Sequence, residues 1–534
     1  MGILSLCSAA AANSWSVALS LVSIIVRKTF KPRSVVTTGL INFQVAVYYI
    51  KQFMLHPLAA YPGPVLARCT NLYAAYHGWR GSVHTDMYQC HRRYGPVVRY
   101  GPNRLLIDTN TAVKDIYGHN VNNIKSNSYR ALIHSAPNTL TIRRKEEHSW
   151  RRRILSLALA DSRISHYQHG FEMHIQRLCE NLGENAKFIA EKSKLQPLDM
   201  SEQCEYFSFD IMSDAIFGVK YNTLTEPTYR FVSKALEDSN MRISALFQAP
   251  MLKIGKLDKY LFSKSIQGRN KFLGFISSLL LNRSALSGDG SVFSFLESAK
   301  DPIEGHVLDK SQVRAECATL VVAGSDTAST ALASTLFYLS RNPAAYGRVA
   351  EEVRGKFQSP DQIILGPLLN SCTYLRACID EALRMSPPVG SALWREVGLG
   401  GMMVDTLMIP AGVDVGVGIY SLHHNDKYHS EPFKYQPERW LADDELSTKE
   451  AVELSRSAFV PFSIGPRSCV GKGFAYHQMT LTLAHIIYKF EFSHANDMVY
   501  SSWSRAGDRE EFLLQDRITG AKTGPFLRFK LHGR

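Results

Sequence analysis

The most constraining feature of the sequence is a helical pattern that runs from about Leu308 to Arg341. Asp309 and Ser311 are candidate N-terminal caps, and Pro343 ends the pattern because proline cannot continue a helix. At about 1.5 Å per residue such a helix would be roughly 50 Å long, enough to cross a whole domain. No linker within residues 65–534 is long enough to divide this part of the chain. We therefore expect one large domain that this helix crosses.

The middle of the helix is unusual. The stretch "AGSDT", Ala323 to Thr327, places a glycine, an aspartate and two hydroxyl residues where a core helix should be apolar. A glycine there costs about 1 kcal/mol relative to alanine, and an aspartate in an apolar stretch needs a partner. This stretch alone leaves two interpretations open, a bent helix with one exposed face or a functional site.

The rest of the body predicts a mainly α fold with small β-sheets. Residues 94–118 carry short β-branched runs broken by Gly-Pro and predict strands, whereas residues 145–345 have mostly helical periodicity. Residues 56–71 contain Pro57, Pro62 and Pro64 and predict a stiff extended connector. The predicted domains are an anchor and connector at 1–56 and a single catalytic domain at 57–534.

The N-terminus predicts a membrane anchor. Residues 2–26 carry no charge, and roughly 20 apolar residues span a bilayer core as a helix. The basic stretch 27–33 would then face the cytosol, and residues 34–50 form a second, poorer candidate. A cleaved secretory signal is the alternative, although the usual positive start is missing. Nine scattered cysteines without a Cys-x-x-Cys pair agree with a reducing, cytosolic location.

The net charge of the chain indicates which classes of binding partner to expect. The chain has 61 basic and 48 acidic residues, a net charge of +13. This excess suits an anionic membrane face or an acidic protein partner. No zinc-finger spacing, basic region with heptads or aromatic RNA-binding signature is present, so we expect no nucleic acid partner.

Four motifs follow one another in a fixed order: the Ala-Gly-x-Asp-Thr helix, a Glu-x-x-Arg helix with Glu381 and Arg384, a Pro-Glu-Arg turn with Arg439, and "FSIGPRSCVG" at 462–471. Together they resemble a cytochrome P450, a haem-thiolate monooxygenase, and its fold is the expected one. The resemblance runs from residue 57 to the C-terminus. The hinge and the C-terminal segment look most like fungal members.

The resemblance implies a haem b cofactor and assigns roles to its motif. Cys469 would be the thiolate ligand of the iron, and the helix that follows would lower its pKa through its N-terminal dipole. Arg467 would bind a haem propionate, and Phe462 would shield the sulfur from water. Gly465 and Gly471 would allow a tight turn close to the macrocycle.

Further residues are implied with less complete matches. His148 and Arg152 match a propionate-contacting Trp-x-x-x-Arg pattern in which histidine replaces tryptophan. Arg395 matches an arginine that usually follows a proline, and Trp394 stands in that place. Glu381 and Arg384 would pair and reach Arg439, locking the core around the haem.

The expected activity is oxygen insertion. Dioxygen activation consumes two protons, and Thr327, fed by Asp326, could relay them while apolar walls exclude bulk water. The expected partners are NADPH–cytochrome P450 reductase, with cytochrome b5 as a further donor, an apolar small molecule and the endoplasmic reticulum membrane. A benzoate-like aromatic-acid or xenobiotic hydroxylase, a haem-thiolate isomerase and a non-catalytic haem-binding protein are the alternatives.

Two surfaces remain as predictions. The substrate pocket is expected at the loop 126–140, the helix face near Thr319 and Ala323, and residues 389–393, which supply mostly apolar side chains. The basic segment 143–153, "RRKEEHSWRRR", is expected near the propionates, either as a docking site for an acidic reductase or as a solvated helix face.

Overall fold

The computed structural model describes residues 43–44, 47–191, 197–283, 290–442, 447–495 and 511–533. The chain forms two compact units, Met1–Ala60 and Tyr61–Arg534. In the first unit, Lys51–Leu55 form one turn of π-helix. The predicted anchor at 2–26 lies outside the described residues. Within the described ranges, no helix is both long and apolar enough to span a bilayer.

The second unit is mainly helical, as predicted. Its α-helices in chain order are α1 Val65–Cys69, α2 Leu72–Arg80, α3 Val83–Tyr94, α4 Asn110–Tyr117, α5 Lys145–Ala158, α6 Asp161–Glu191, α7 Met200–Phe217, α8 Phe231–Gln248, α9 Leu257–Leu261, α10 Ser263–Arg283, α11 Val292–Ser298, α12 Lys310–Arg341, α13 Pro343–Lys356, α14 Pro367–Asn370, α15 Thr373–Met385, α16 Ile419–His423, α17 Lys449–Ser457 and α18 Lys472–Lys489. Short 3-10 turns join several of them.

The strands are short, and their described members form four small sheets. They are β1 Val97–Gly101, β2 Arg104–Ile107, β3 Asn123–Lys125, β4 Leu198–Asp199, β5 Arg395–Val397, β6 Met402–Val404, β7 Leu407–Ile409, β8 Asp414–Gly416, β9 Phe490–His494, β10 Gln515–Arg517, β11 Thr519–Ala521 and β12 Phe526–Leu531. The largest sheet has the order β1-β2-β8-β5-β3, in which only the β2–β8 pair is parallel. β4-β12-β9 form a second sheet, and β6-β7 and β10-β11 are hairpins.

The central helix α12 confirms the prediction of a long helix from about Leu308 to Arg341. Asp309 caps it in a capping box, because its carboxylate accepts from the amides of Ser311 and Gln312 while the Gln312 side chain accepts from the Asp309 amide. The helix ends at Arg341, two residues before Pro343. It packs against α7, α15 and α18, so its middle is surrounded by other helices. The main apolar core is built from these elements.

Two sequence predictions are wrong in part. The strands expected over 94–118 stop at Ile107, and Asn110–Tyr117 are helical because Thr109 caps them with its hydroxyl and Ala112, Val113, Ile116 and Tyr117 fall on one buried face. The connector predicted over 56–71 is also shorter than expected, since Val65–Cys69 form a helix.

Candidate active site

The cysteine lies in a closed loop that leads into a helix. The loop 462–469 is closed by a hydrogen bond from the Cys469 amide to the Phe462 carbonyl, at 2.9 Å. Helix α18 begins three residues after the cysteine, at Lys472, so the cysteine faces the unbonded amides of its first turn. The ring of Phe462 packs on Tyr476 of that helix, with the ring centroids 5.0 Å apart. Helix and loop therefore hold the sulfur in a fixed position, and shielding of the sulfur by Phe462 stays a prediction.

Cys469 differs from the other cysteines in its access. Of the eight cysteines in the described ranges, seven are buried and only Cys469 is exposed. It is nevertheless enclosed by protein, and this burial raises the pKa of its thiol, opposed by an amide hydrogen bond from Gly471 and by the charges of Arg152 and Lys472. The protein alone thus does not lower the thiol pKa below its ordinary value. A metal cation bound to the sulfur would favour the thiolate.

The two glycines of the cysteine motif differ in whether the surrounding protein requires a glycine. Gly465 has φ +71°, and a Cβ there would lie 2.0 Å from the Tyr117 carbonyl oxygen, so no other residue fits. Its close contact is with the backbone at the end of α4. Gly471 has φ −92°, and no protein atom would obstruct a Cβ. The protein itself therefore does not require glycine at 471, unlike at 465.

Five basic side chains converge beside the cysteine loop: Lys125, His148, Arg152, Arg395 and Arg467. Arg467 donates to the Ile142 and Arg143 carbonyls at 2.6 and 2.9 Å, and Arg152 donates to the Ser468 carbonyl. Arg395 donates to the Tyr129 hydroxyl at 3.3 Å and to two carbonyls, and Lys125 to the Leu140 carbonyl. No carboxylate of the described residues forms an ion pair with any of the five. We call them the basic cluster.

The basic cluster fits an anionic ligand. Burial and mutual repulsion lower the pKa of Lys125 well below its usual range, that of Arg467 to about 10 and that of His148 to about 2. Buried like charges without acid partners are unfavourable unless an anion joins them. The two carboxylates of a haem supply such charges, and Arg guanidinium groups bind carboxylates in bidentate geometry. The accessible thiol would thus suit the iron of a haem, and the basic cluster would suit its propionates.

The second buried charge cluster contains its own carboxylate, although one terminal nitrogen of Arg439 has no hydrogen-bond partner among the described residues. Arg384 holds Glu381 with two hydrogen bonds of 2.9 and 3.0 Å, and Arg439 donates to the same carboxylate at 2.9 Å. The Trp440 indole also donates to it at 3.1 Å, a partner that the motif did not indicate. Burial opposes ionisation, but the two arginines outweigh it and lower the pKa of Glu381. The structure thus brings together the three residues of this predicted lock, which we call the acid–arginine lock.

Hydroxyl residues fit inside α12 because they bond back to their own helix. Thr327 donates to the Ala323 carbonyl and Ser325 to the Val321 carbonyl, both at 2.7 Å. Gly324 leaves room for Met212 of α7, whose Cε would lie 2.4 Å from a Cβ. Ala323 is exposed and Thr327 partly exposed in a helix that other helices surround. This stretch therefore presents one open face, which is compatible with both sequence interpretations.

Asp326 points to a different place than Thr327. Its carboxylate accepts from the Thr519 hydroxyl at 2.9 Å and borders a polar cavity of about 280 Å³, which Glu205 and Lys522 also line. Lys522 pairs with Glu205 at 3.0 Å. Burial raises the pKa of Asp326 to about 6. No hydrogen bond joins the Asp326 and Thr327 side chains, and the sequence did not indicate the C-terminal residues Thr519 and Lys522.

The basic segment 143–153 is largely neutralised within the protein. Arg143 pairs with Glu396, Arg151 with Glu147, and Arg153 with Asp301 and Glu304. Arg152 belongs to the basic cluster. Of its cations, Arg144 and Lys145 remain exposed. Few of its cations are therefore left to attract an acidic partner. Two of its residues, His148 and Arg152, are the predicted propionate contacts.

The cysteine loop, the helix N-terminus after it, the accessible cysteine and the basic cluster are features that would suit a haem-thiolate site. A sequence model of the cytochrome P450 family matches residues 62–503. The chain belongs to the cytochrome P450 family and is a haem-thiolate monooxygenase, whose haem iron is held by a cysteine thiolate.

The relatives are monooxygenases of fungi. The chain is 47% identical over 485 residues to the cytochrome P450 monooxygenase poxM of Penicillium oxalicum, covering 90% of this chain and 91% of that protein. It is 59% identical over 369 residues to a cytochrome P450 monooxygenase of Gibberella fujikuroi, covering 68% and 99%. A third, from Alternaria alternata, is 44% identical over 507 residues, covering 93% and 97%.

Proposed function

We propose that this monooxygenase hydroxylates an apolar, polycyclic or terpenoid-like intermediate of fungal secondary metabolism. The observation that carries the proposal is the composition of the open face around α12. Five side chains of the expected pocket segments are apolar and keep accessible surface: Leu132, Ile133, Leu140, Val389 and Leu393. Small-molecule sites with such linings favour apolar ligands.

The cations near this face argue against an anionic substrate. Lys125 and Arg395 are buried and already donate to carbonyls within the basic cluster. Arg130 is exposed and lies in a short 3-10 turn, Asn127–Leu132. An aromatic acid would need one of these cations to turn toward the open face, with loss of a buried hydrogen bond in the first two cases.

Asp326 and Thr327 of α12 would take up protons and transfer them to the reaction. The haem supplies oxygen activation when it is bound, and this chemistry consumes protons that must come from solvent. Asp326, with its pKa raised to about 6, borders the polar cavity and can exchange protons with water there. The hydroxyl of Thr327 lies on the open face and can pass a proton onward. Apolar neighbours keep bulk water out.

The substrate class is tested by spectral titration. The purified haem protein is titrated with benzoate and with a panel of apolar terpenoids and indole alkaloids. We expect a low-spin to high-spin shift with members of the apolar panel and none with benzoate. A shift with benzoate alone, lost in Arg130→Ala, would establish the aromatic-acid alternative instead.

Membrane attachment and electron supply belong to the same proposal. The uncharged segment 2–26 would anchor the enzyme in the endoplasmic reticulum with the catalytic unit in the cytosol, served by NADPH–cytochrome P450 reductase and cytochrome b5. Lys472, which pairs with no carboxylate of the described residues, lines a cavity of about 310 Å³ at the start of α18, next to the cysteine loop, and suits an acidic partner. A variant without residues 1–50 should partition less into membranes and keep its haem spectrum. Equal partitioning of both forms would contradict the anchor.

A further inference from the structure

The loop between the 3-10 turn Asn127–Leu132 and α5 is fastened to the central helix by one buried carboxylate. Glu316 of α12 accepts from both the amide and the hydroxyl of Thr139, at 2.7 and 2.8 Å. Asn138 adds a hydrogen bond of 2.6 Å from its side-chain amide to the Thr319 hydroxyl. Glu316, Asn138 and Thr139 are all buried. We call residues 133–144 the roof loop.

The fastening lies on the face of α12 that carries the active site. Glu316, Thr319, Ala323 and Thr327 are spaced by three, four and four residues, so they form one stripe along the helix. Ala323 and Thr327 are the open part of this stripe, and Glu316 and Thr319 form its covered end. The roof loop therefore closes the stripe at its N-terminal end, about two turns from Thr327.

Residues 138–142 of the roof loop form one structural unit, because hydrogen bonds join them to each other. Residues 138–142 form a turn in which the Asn138 carbonyl accepts from the amides of Thr141 and Ile142, at 2.8 and 2.9 Å. The Asn138 amide in turn donates to the Thr141 hydroxyl at 3.0 Å. A hydrogen bond at Thr139 thus fixes the whole turn.

The other end of the turn is held by the basic cluster. Lys125 donates to the Leu140 carbonyl and Arg467 to the Ile142 carbonyl. Arg151 of α5 donates to the Pro137 carbonyl at 3.1 Å and lies 3.8 Å from Glu316. Its closer acid partner is Glu147, at 2.7 Å. If Glu316 is replaced by leucine, Arg151 therefore still has Glu147 as an acid partner. The Thr139 amide then has no acceptor among the described residues.

We infer that Glu316 is a positioning residue that keeps the roof loop closed on the N-terminal end of the stripe, beside the open face, and so controls the passage of large ligands to the haem. This inference rests on the proposed function, since it assumes that substrates reach the haem along the open face. Loss of the carboxylate leaves two donors of Thr139 unpaired in a buried place, which favours an outward position of the loop where water can bond them. Glutamine keeps an acceptor oxygen at the same point.

The test compares association rates of carbon monoxide and of a bulky phenyl-substituted imidazole with the haem protein. We expect Glu316→Leu and Thr319→Val to raise the imidazole rate, by about tenfold for the former, and the carbon monoxide rate by less than twofold. Glu316→Gln and the control Glu450→Gln, at an exposed position outside the roof loop, should behave like the parent. Hydrogen exchange of the Thr139 amide should accelerate in Glu316→Leu and not in Glu316→Gln.

The outcomes separate this inference from the proposed function. A parent protein without a haem-thiolate spectrum would refute the function itself. A normal spectrum together with unchanged imidazole rates in Glu316→Leu and Thr319→Val would overturn the role of Glu316, and so would equal behaviour of Glu316→Gln and Glu316→Leu. If Glu316→Leu does not fold, Thr319→Val alone decides, because it removes only the acceptor of Asn138.

Discussion

The acid–arginine lock is buried and the basic cluster is buried or partly buried, but only the lock contains a carboxylate that balances its cations. In the lock, Glu381 is held by Arg384 and Arg439, and all three are buried. In the basic cluster, the cations donate only to carbonyls and hydroxyls of the described residues. A balanced group stabilises the fold by itself, whereas an unbalanced group is organised for a ligand. The presence or absence of a carboxylate partner therefore distinguishes structural charged residues from ligand-binding ones. Burial by itself does not make this distinction.

Glu381→Gln should have the largest effect. It leaves two buried arginines without a carboxylate, which costs roughly 3–5 kcal/mol, so we expect little folded protein. The matched control is Glu431→Gln, which breaks an exposed ion pair with Lys434 of the same i, i+3 spacing and should cost less than about 1 kcal/mol. Soluble yield and thermal unfolding measure both. Equal stability of the two variants would remove the structural role of the lock.

Cys469→Ser should abolish activity with little loss of fold. The side chain differs by one atom, and the loop is closed by the backbone of residue 469, which the substitution keeps. The reduced carbon monoxide complex should lose its red-shifted Soret band, because that band depends on the thiolate. An unchanged band would show that another residue binds the iron.

Arg467→Ala should lower haem affinity by roughly 10–100-fold, since a charged hydrogen bond contributes about 1.5–3 kcal/mol. The haem-free protein should change little in stability, because the loss of hydrogen bonds to the Ile142 and Arg143 carbonyls is offset by the removal of one of several repelling cations. Haem release to a scavenger and thermal unfolding without haem measure the two quantities. Lys145→Ala, at an exposed position next to the cluster, is the control and should change neither. A loss of stability in the haem-free Arg467→Ala protein would mean that this arginine is structural.

Thr327→Ala should uncouple the reaction. Haem content should remain nearly normal, because the hydroxyl bonds only to its own helix in the part of the chain described. Oxygen consumption should then exceed product several-fold, with peroxide released. Coupling like that of the parent would assign the proton relay to Ser325 or to water.

Asp326→Asn should give the smallest effect, one that depends on pH. The folded pKa of Asp326 is about 6 and its unfolded value is near 3.9, so the folded protein binds more protons between these values. Stability of the parent should therefore fall as pH rises from about 4 to 6 and change no further above 6 on this account. The variant lacks this slope and should be more stable above pH 6, by on the order of 1 kcal/mol since the cavity admits solvent. A pH-independent difference in melting temperature would contradict the raised pKa.

Local signals in the sequence determined much of the fold and part of the site. The capped helix ending before Pro343, the helix after Cys469 and the Glu-x-x-Arg helix were predicted correctly, because caps, proline and periodicity act over a few residues. The prediction over 94–118 failed at Asn110–Tyr117, where one threonine cap and a short buried face outweighed the strand pattern.

The four motifs, through their resemblance to the cytochrome P450 family, pointed to Cys469, Arg467 and the three residues of the acid–arginine lock. Only the tertiary structure decided which charges balance each other. It brought Thr519 and Lys522 to Asp326 from nearly 200 residues away, placed Trp440 on Glu381, and paired Arg153 with Asp301 rather than leaving it at the surface. Partners so distant along the chain leave no periodic trace in the sequence, because their contact depends on how whole helices pack.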